Sequence, residues 1–354
     1  MKEQNKYHDN RVLNKKRLLT VALVAAMFNA PSISAQESLK LYNWGDYINP
    51  EVLTQFKAQT GIDVSVDTYT SNEEMLAKLQ AGATGYDIVF PSVHMQDIMS
   101  HLGLLEKTHI NQFSGFKHID THFLTAKSDP KGEYCLPYAW GTVGILYNKK
   151  QVKSLDSWQE FFNLPQQGKK IAMLDDMREV IGVGLIEHGK SVNSTRREDL
   201  KLAQEFILKQ KPNVSSFTYD SAPLVQSGDI AAAQWYVGGM LYVFQTPDEL
   251  DFVIPKEGAT MYQENMCVLK SAPNKSNAKK FLEFFTQPEI AALNTKQQMN
   301  GSTNKDAIAL LPDYIRDNPS INPPEQVRSK LQMFAELGKD IKLYDRVWTK
   351  IRTH

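Results

Sequence analysis

Cysteine is nearly absent: Cys135 and Cys267 are the only two in 354 residues, which excludes a disulfide-dense scaffold and a cysteine-built zinc site. Each sits in an apolar run. In an oxidising compartment they could pair, and as buried free thiols they would serve as small hydrophobes, so both readings stay open. The apolar run from Leu18 to Phe28 is 11 residues long, short of the roughly 20 that a membrane-spanning helix needs. Neither charge dominates, with 40 basic against 40 acidic residues, and no clustered positive charge suggests nucleic acid. Enzyme signatures are missing as well: there is no G-x-S-x-G elbow, no phosphate-binding glycine loop and no H-E-x-x-H. His118 and His122 have helical spacing but fall in a loop-like region near His101 and His109, without the spaced cysteines or carboxylates that would complete a metal site. No metal and no cofactor are expected. Catalysis by paired carboxylates depends on a distance that sequence does not display.

What is present is an ordinary globular composition, 42% apolar and 23% charged. The length exceeds the roughly 250–300 residues at which a single core stops growing, so two lobes are expected. Residues 1–35 stand apart. A basic stretch ending Lys15-Lys16-Arg17, the apolar run, and then Pro31 to Ala35 read as a secretory signal peptide cleaved after Ala35. No cysteine follows that point, so a lipid anchor there is not expected. Taking six basic and two acidic residues away with the signal leaves 34 against 38, a net of −4, compatible with a cationic ligand.

Strand and helix patterns alternate along the chain. Leu39 to Asn43 reads as a strand, Glu51 to Gln59 as a helix closed by Gly61, and Ile62, Val64 and Val66 as a second strand. Ser71 with Glu74 forms a capping box opening a helix over Met75 to Gln80, followed by a strand from Tyr86 to Phe90. The style repeats with strands at Trp140 to Asn148, Lys170 to Leu174, Ile230 to Trp235 and Leu250 to Ile254. Helices are expected at Ser157 to Phe162, Glu198 to Lys209 and Ala278 to Phe285. This is an α/β chain with mixed, mostly parallel sheets flanked by helices, and ligands of such sheets sit beyond the carboxyl ends of strands. Asn43 to Tyr47 and Ser92 to His94 lie at such ends.

The segment L-Y-N-W-G-D-Y places Trp44 and Tyr47 around Asp46, raw material for a cation cage, since a cation over an aromatic face gains about 0.5–2 kcal/mol and a carboxylate adds a charge-assisted hydrogen bond. A turn flanked by core aromatics is the alternative. Asp176 and Glu179 stand three apart after a strand, either as two ligands on one helix face or as an N-cap with its N3 partner. Trp235 ends a strand, and Tyr262 and Glu264 share a face if that segment is a strand.

Six segments taken together resemble the periplasmic spermidine/putrescine-binding proteins of polyamine ABC transporters. They are Y-N-W-G-D-Y from Tyr42, G-Y-D-I-V-F-P-S from Gly85, L-P-Y-A-W-G from Leu136, D-D-M-R-E-V from Asp175, P-K-E-G-A from Pro255 and P-P-E-Q-V-R-S-K-L from Pro323. The resemblance covers essentially all of the mature chain. It implies a two-lobed periplasmic-binding-protein fold with a ligand cleft between lobes, here residues 36–140 plus 265–308 for one lobe and 141–264 plus 309–354 for the other. It also implies a monomeric periplasmic protein that is not an enzyme and that closes on a polyamine. Its partner would be an inner-membrane ABC permease or, alternatively, the periplasmic domain of a membrane sensor coupled to a cyclic-di-GMP enzyme.

Carried over by position, the aromatic walls are Trp44, Tyr47, Trp235 and Tyr262, and the ammonium-binding carboxylates are Asp46, Asp176, Glu179 and Glu264. Ser92 matches a small polar cleft residue, and His94 stands where some relatives have Tyr. Four positions depart from the pattern. Gly238 stands where putrescine-selective relatives have Asp, Asn300 replaces a Tyr, Phe334 a Gln, and Gly45 a Ser or Thr. Losing the carboxylate at 238 points to a triamine, spermidine or norspermidine. Trp44, Asp46 and Tyr47 are expected to secure one end of it, with Gly238 and Asn300 marking the other.

Overall fold

The computed structural model describes residues 37–353, so the predicted signal peptide over 1–35 lies outside the described residues. Leu39 and Leu41 alternate with polar neighbours and build β1 (Ser38–Trp44), which runs on through helix α1 (Pro50–Thr60) into β2 (Asp63–Tyr69), paired parallel to β1. The α1 boundaries follow from local chemistry. The Asn49 side chain accepts the Glu51 N–H, Pro50 fits the first turn, and Gly61 closes the helix at φ +74°. Helix α2 (Asn72–Gln80) opens three residues before the expected Met75, on Ser71 accepting the Glu74 N–H, while the Glu74 carboxylate turns back to the Thr70 N–H and hydroxyl. The strand expected over Tyr86 to Phe90 contributes only β3 (Ile88–Val89) to the ladder, on the other side of β1, and helix α3 (Val93–His101) follows.

The longest strand is β4 (Cys135–Asn148), buried along its whole length. It starts before the expected Trp140 because the chain stays extended through Pro137, which lacks a ladder N–H, and the register shifts between Pro137 and Ala139. Helix α4 (Trp158–Asn163), β5 (Ile171–Met173), α5 (Met177–Glu187), α6 (Arg197–Gln210), β6 (Val214–Phe217), β7 (Ala232–Tyr236) and β8 (Leu250–Val253) follow. The chain returns through β9 (Ala259–Val268), α7 (Lys275–Phe285), α8 (Pro288–Gln298), β10 (Gly301–Ser302), β11 (Leu331–Met333) and α9 (Ile341–Thr353).

The strands form one mixed sheet, ordered β2-β1-β3-β9-β4-β7-β5-β6, with β10 and β8 on β4 and β11 on β9. Every antiparallel ladder among the described residues involves β4 or β9. The first half of β4, residues 135–142, pairs with β9, and the second half, 143–148, pairs with β7 and β8. One strand thereby belongs to both halves of the molecule. Two hydrophobic cores accompany it, one including Leu41, Phe56, Phe90 and Phe281, the other including Trp158, Phe161, Val180 and Tyr344. Cys135 and Cys267 face each other across the β4–β9 ladder and are joined as a disulfide, which decides between the two readings left open by the sequence.

Candidate binding site

Three side chains on one face of β9, spaced two apart, organise the site: Thr260, Tyr262 and Glu264. Each engages a residue from another part of the chain. The Thr260 hydroxyl donates to the Glu179 carboxylate, the Tyr262 hydroxyl donates to Asn300 Oδ1 at 3.1 Å, and Glu264 Oε2 accepts from the Tyr47 hydroxyl at 2.9 Å. Gly141, opposite Tyr262 on β4, makes room for that ring, since a Cβ there would stand 2.4 Å from the Tyr262 hydroxyl.

At the Glu264 end, Ser92 caps α3 and bridges to β9, its hydroxyl 3.3 Å from Glu264 Oε1. Tyr47 is clamped through its carbonyl, which accepts from the Tyr138 hydroxyl and from Gln298 Nε2. Glu264 is 5% exposed and has no basic partner among the described residues; burial pushes its carboxyl up to about 8, against the pull of the Tyr47 and Ser92 hydroxyls.

At the other end, Asp176 is the N-cap of α5, its Oδ1 accepting the Arg178 and Glu179 N–H groups at 2.8 and 3.0 Å. The capping reading therefore holds for Asp176, while the Glu179 carboxylate engages Thr260; Asp176 Oδ2 stays available to the site and accepts from the Tyr219 hydroxyl at 3.2 Å. Glu179 is 4% exposed and also has no ion-pair partner among the described residues; burial, reinforced by the Asp176 charge, pushes its carboxyl up to about 8. Its hydrogen bond from Thr260 uses one oxygen only. The adjacent Arg178 is spent elsewhere. Its guanidinium lies between the Phe334 and Tyr344 rings and donates to Val192, Asn193 and Ala335.

The remaining expected residues are less closely joined. Trp44 donates Nε1–H to the Phe90 carbonyl at 2.9 Å and tilts against Tyr69. Asp46 is exposed at φ +53°, and its side chain makes no hydrogen bond or ion pair among the described residues. His94 is half-buried, and burial together with the nearby Arg178 charge lowers its ring to about 4, so it stands neutral. Trp235 packs beside Tyr236, ring centroids 6.2 Å apart, and Tyr236 in turn meets Tyr262 edge-on at 5.6 Å.

The expected division of ends is corrected. Asn300 Nδ2 donates to the Tyr47 hydroxyl at 2.7 Å, and a Cβ on Gly238 would lie 3.9 Å from Asn300 Oδ1, so both departures sit at the Tyr47 end. The cause is β10, which pairs with β4 and carries residue 300 alongside Tyr262. His118 and His122 pair with Asp306 and Asp120 instead of with each other, and no group of residues placed to hold a metal occurs among the described residues.

Sequence reasoning missed Asn72, Tyr219, Tyr236 and Thr260. The two-residue period on β9 could have revealed Thr260, in step with Tyr262 and Glu264. Asn72, at the first turn of α2, donates to the Ser92 hydroxyl, and nothing local in the sequence signals that. Glu73 beside it was also missed; burial and the Asp176 charge raise its carboxyl, which places it toward the Glu179 end.

A two-lobed α/β scaffold with an internal site of acids and aromatics is the architecture of a solute-binding protein. The model of the bacterial extracellular solute-binding proteins matches residues 51–323, and the chain belongs to that family, one of binding proteins and not of enzymes. The putrescine-binding periplasmic protein PotF of Escherichia coli is 32% identical, over 96% of this chain and 99% of its own. The spermidine/putrescine-binding periplasmic protein of Salmonella typhimurium is 30% identical, over 95% and 98%. Among solved structures, the spermidine/putrescine ABC transporter substrate-binding protein PotD of Streptococcus pneumoniae matches with a TM-score of 0.81 and 30% identity, covering 89% of this chain and 98% of its own.

Proposed function

We propose that this is a periplasmic polyamine-binding protein that prefers a triamine, spermidine or norspermidine, and presents it to an inner-membrane ABC permease. The observation that carries the reading is the pair of buried carboxylates, Glu179 and Glu264, held at two ends of one strand face with no ion-pair partner for either among the described residues. A buried carboxylate without a counter-ion is strongly disfavoured, and a ligand ammonium at each end relieves that. Thr260 and Glu264 are four residues apart on β9, which spans about 13 Å at roughly 3.3 Å per residue. At about 1.25 Å of advance per bond in an extended chain, putrescine separates its nitrogens by about 6 Å and spermidine its outer nitrogens by about 11 Å. The longer ligand fits the two ends.

Tyr47, Tyr262, Trp235 and Trp44 supply faces for the methylenes and ammonium groups, with Asp46, Asp176, Ser92 and His94 completing the ligand set. The relatives named for putrescine and spermidine support the ligand class, their periplasmic location supports the compartment, and the family's ABC transporter members support the permease as partner. In this reading the lobes are residues 36–140 plus 265–308 and 141–264 plus 309–354, the protein is a monomer, and the ligand stabilises the closed arrangement through its greater affinity for it.

Tryptophan-fluorescence titration with spermidine tests this. Glu179→Gln and Trp235→Ala are each expected to weaken binding about tenfold or more, through loss of a charge-assisted hydrogen bond and of an aromatic face. Unchanged affinity in both variants would overturn the site.

A further inference from the structure

Two side-chain amides outside the ligand set converge on Glu264 through hydroxyl groups. Asn300 is 1% exposed, and its Nδ2 donates to the Tyr47 hydroxyl at 2.7 Å, which lies 2.9 Å from Glu264 Oε2. Asn72 is 8% exposed, and its Nδ2 donates to the Ser92 hydroxyl at 3.0 Å, which lies 3.3 Å from Glu264 Oε1. The orientation of the Asn72 amide is fixed independently, because its Oδ1 accepts the Ser92 backbone N–H at 3.1 Å. The Asn300 Oδ1 in turn meets the Tyr262 hydroxyl at 3.1 Å.

A hydroxyl has one proton. Where an amide N–H already fills its acceptor side, that proton is directed to the remaining neighbour. For Ser92 the remaining neighbour is Glu264 Oε1; for Tyr47 the neighbours are Glu264 Oε2 and the Tyr262 hydroxyl, of which the carboxylate oxygen is the stronger acceptor, so the carboxylate receives one O–H donor on each oxygen. We propose that Asn72 and Asn300 are positioning residues of the ligand-binding site, each orienting a hydroxyl toward Glu264 so that its ionised form is supported when a ligand ammonium group arrives. The titratable side chains facing Glu264 are Tyr47, Tyr69, Tyr138 and Tyr262, and no lysine, arginine or histidine forms an ion pair with it among the described residues. Its desolvation is offset locally by the Tyr47 and Ser92 hydroxyls first, with its own backbone N–H adding less. Asn300, which departs from the tyrosine of the resembling family, becomes a component of the carboxylate's support.

This inference rests on the polyamine reading of the site and is tested by a mutant cycle with spermidine as the probe, read by calorimetry between pH 6.5 and 8.5. Asn300→Leu is expected to weaken binding about tenfold at pH 7. In the Tyr47→Phe background the same change is expected to weaken it less than about twofold, because the relay is already cut. The fall in affinity on acidification is expected to begin at higher pH in Asn300→Leu than in the parent, as Glu264 loses a donor and binds its proton more tightly. The Asn72→Leu change in the parent and Ser92→Ala backgrounds repeats the cycle on the second relay, and serves alone if Asn300→Leu does not fold. Additive losses in the cycle, or an unshifted pH profile, would overturn the proposal. A parent protein that binds no spermidine would instead overturn the polyamine reading.

Discussion

Glu179 and Glu264 carry opposite requirements: burial makes their charge unfavourable, and recognition of an ammonium needs that charge. Their carboxyls, pushed up to about 8, are largely protonated at neutral pH until a cation arrives, so binding releases protons. Calorimetry of spermidine binding at pH 7 in two buffers of different ionisation enthalpy is expected to show net proton release, and Glu179→Gln to reduce it. Equal release in the variant would place the protons elsewhere. Asp176 separates two roles by one substitution. Asn is as good an N-cap as Asp, so Asp176→Asn should leave stability within about 0.5 kcal/mol while weakening spermidine binding, whereas Asp176→Ala should also cost about 1 kcal/mol of stability. Thermal melts and titrations on the two variants separate capping from ligand contact. Residue chemistry was legible here in part. Asp176, Glu179, Tyr262 and Glu264 stood out as acids and aromatics at strand or helix ends, but Asn72 and Tyr219 act through contacts 20 and 43 residues away, which no local pattern encodes.

At the scale of elements, β9 sets the geometry, because its two-residue period puts Thr260, Tyr262 and Glu264 in a row and β4 behind it supplies the space. Gly141→Ala is expected to displace the Tyr262 ring and weaken spermidine binding several-fold with little effect on the secondary-structure signal in circular dichroism. Binding at parental strength would show that the ring does not need this gap. Periodicity and capping made β1, β2, α1, α4 and α6 legible in the sequence within a few residues. The start of β4 was hidden by Pro137, and β9 by its mixture of polar and apolar side chains, since both faces of that strand are engaged. The wrong expectation that Asn300 marks the far end has the same origin. Pairing of β10 with β4 is a long-range event, and residue order does not disclose it.

The whole molecule joins its halves through a continuous β4 and fastens one half with the Cys135–Cys267 cross-link. A disulfide enclosing 132 residues of sequence separation constrains the unfolded chain, and its removal typically lowers stability by roughly 2–5 kcal/mol. Replacing both cysteines by serine should therefore depress the melting temperature of the unliganded protein without moving the preference among ligands. Stability against pH follows from the buried acids. Glu179 and Glu264 hold protons in the folded state up to about 8 but lose them near 4.5 when unfolded, so their contribution falls as pH rises through that window. His94 acts in the opposite sense and on the acid side, since its folded value of about 4 lies below the ordinary 6.5 and its contribution is lost as pH falls. Between pH 7 and 8 only the acids matter. Melts of the unliganded protein should drop over that interval more steeply than melts of Glu179→Gln, and saturating spermidine should flatten the difference.

The central claim is that two buried carboxylates, Glu179 held by Thr260 and Glu264 itself, anchored at β9 positions about 13 Å apart along the strand, measure the length of an extended triamine. Calorimetric titration of the mature protein with putrescine, cadaverine, spermidine and norspermidine tests it most directly. Spermidine or norspermidine is expected to bind at least about tenfold more tightly than either diamine, the gain of one further charge-assisted contact. Tighter binding of putrescine than of both triamines would contradict it.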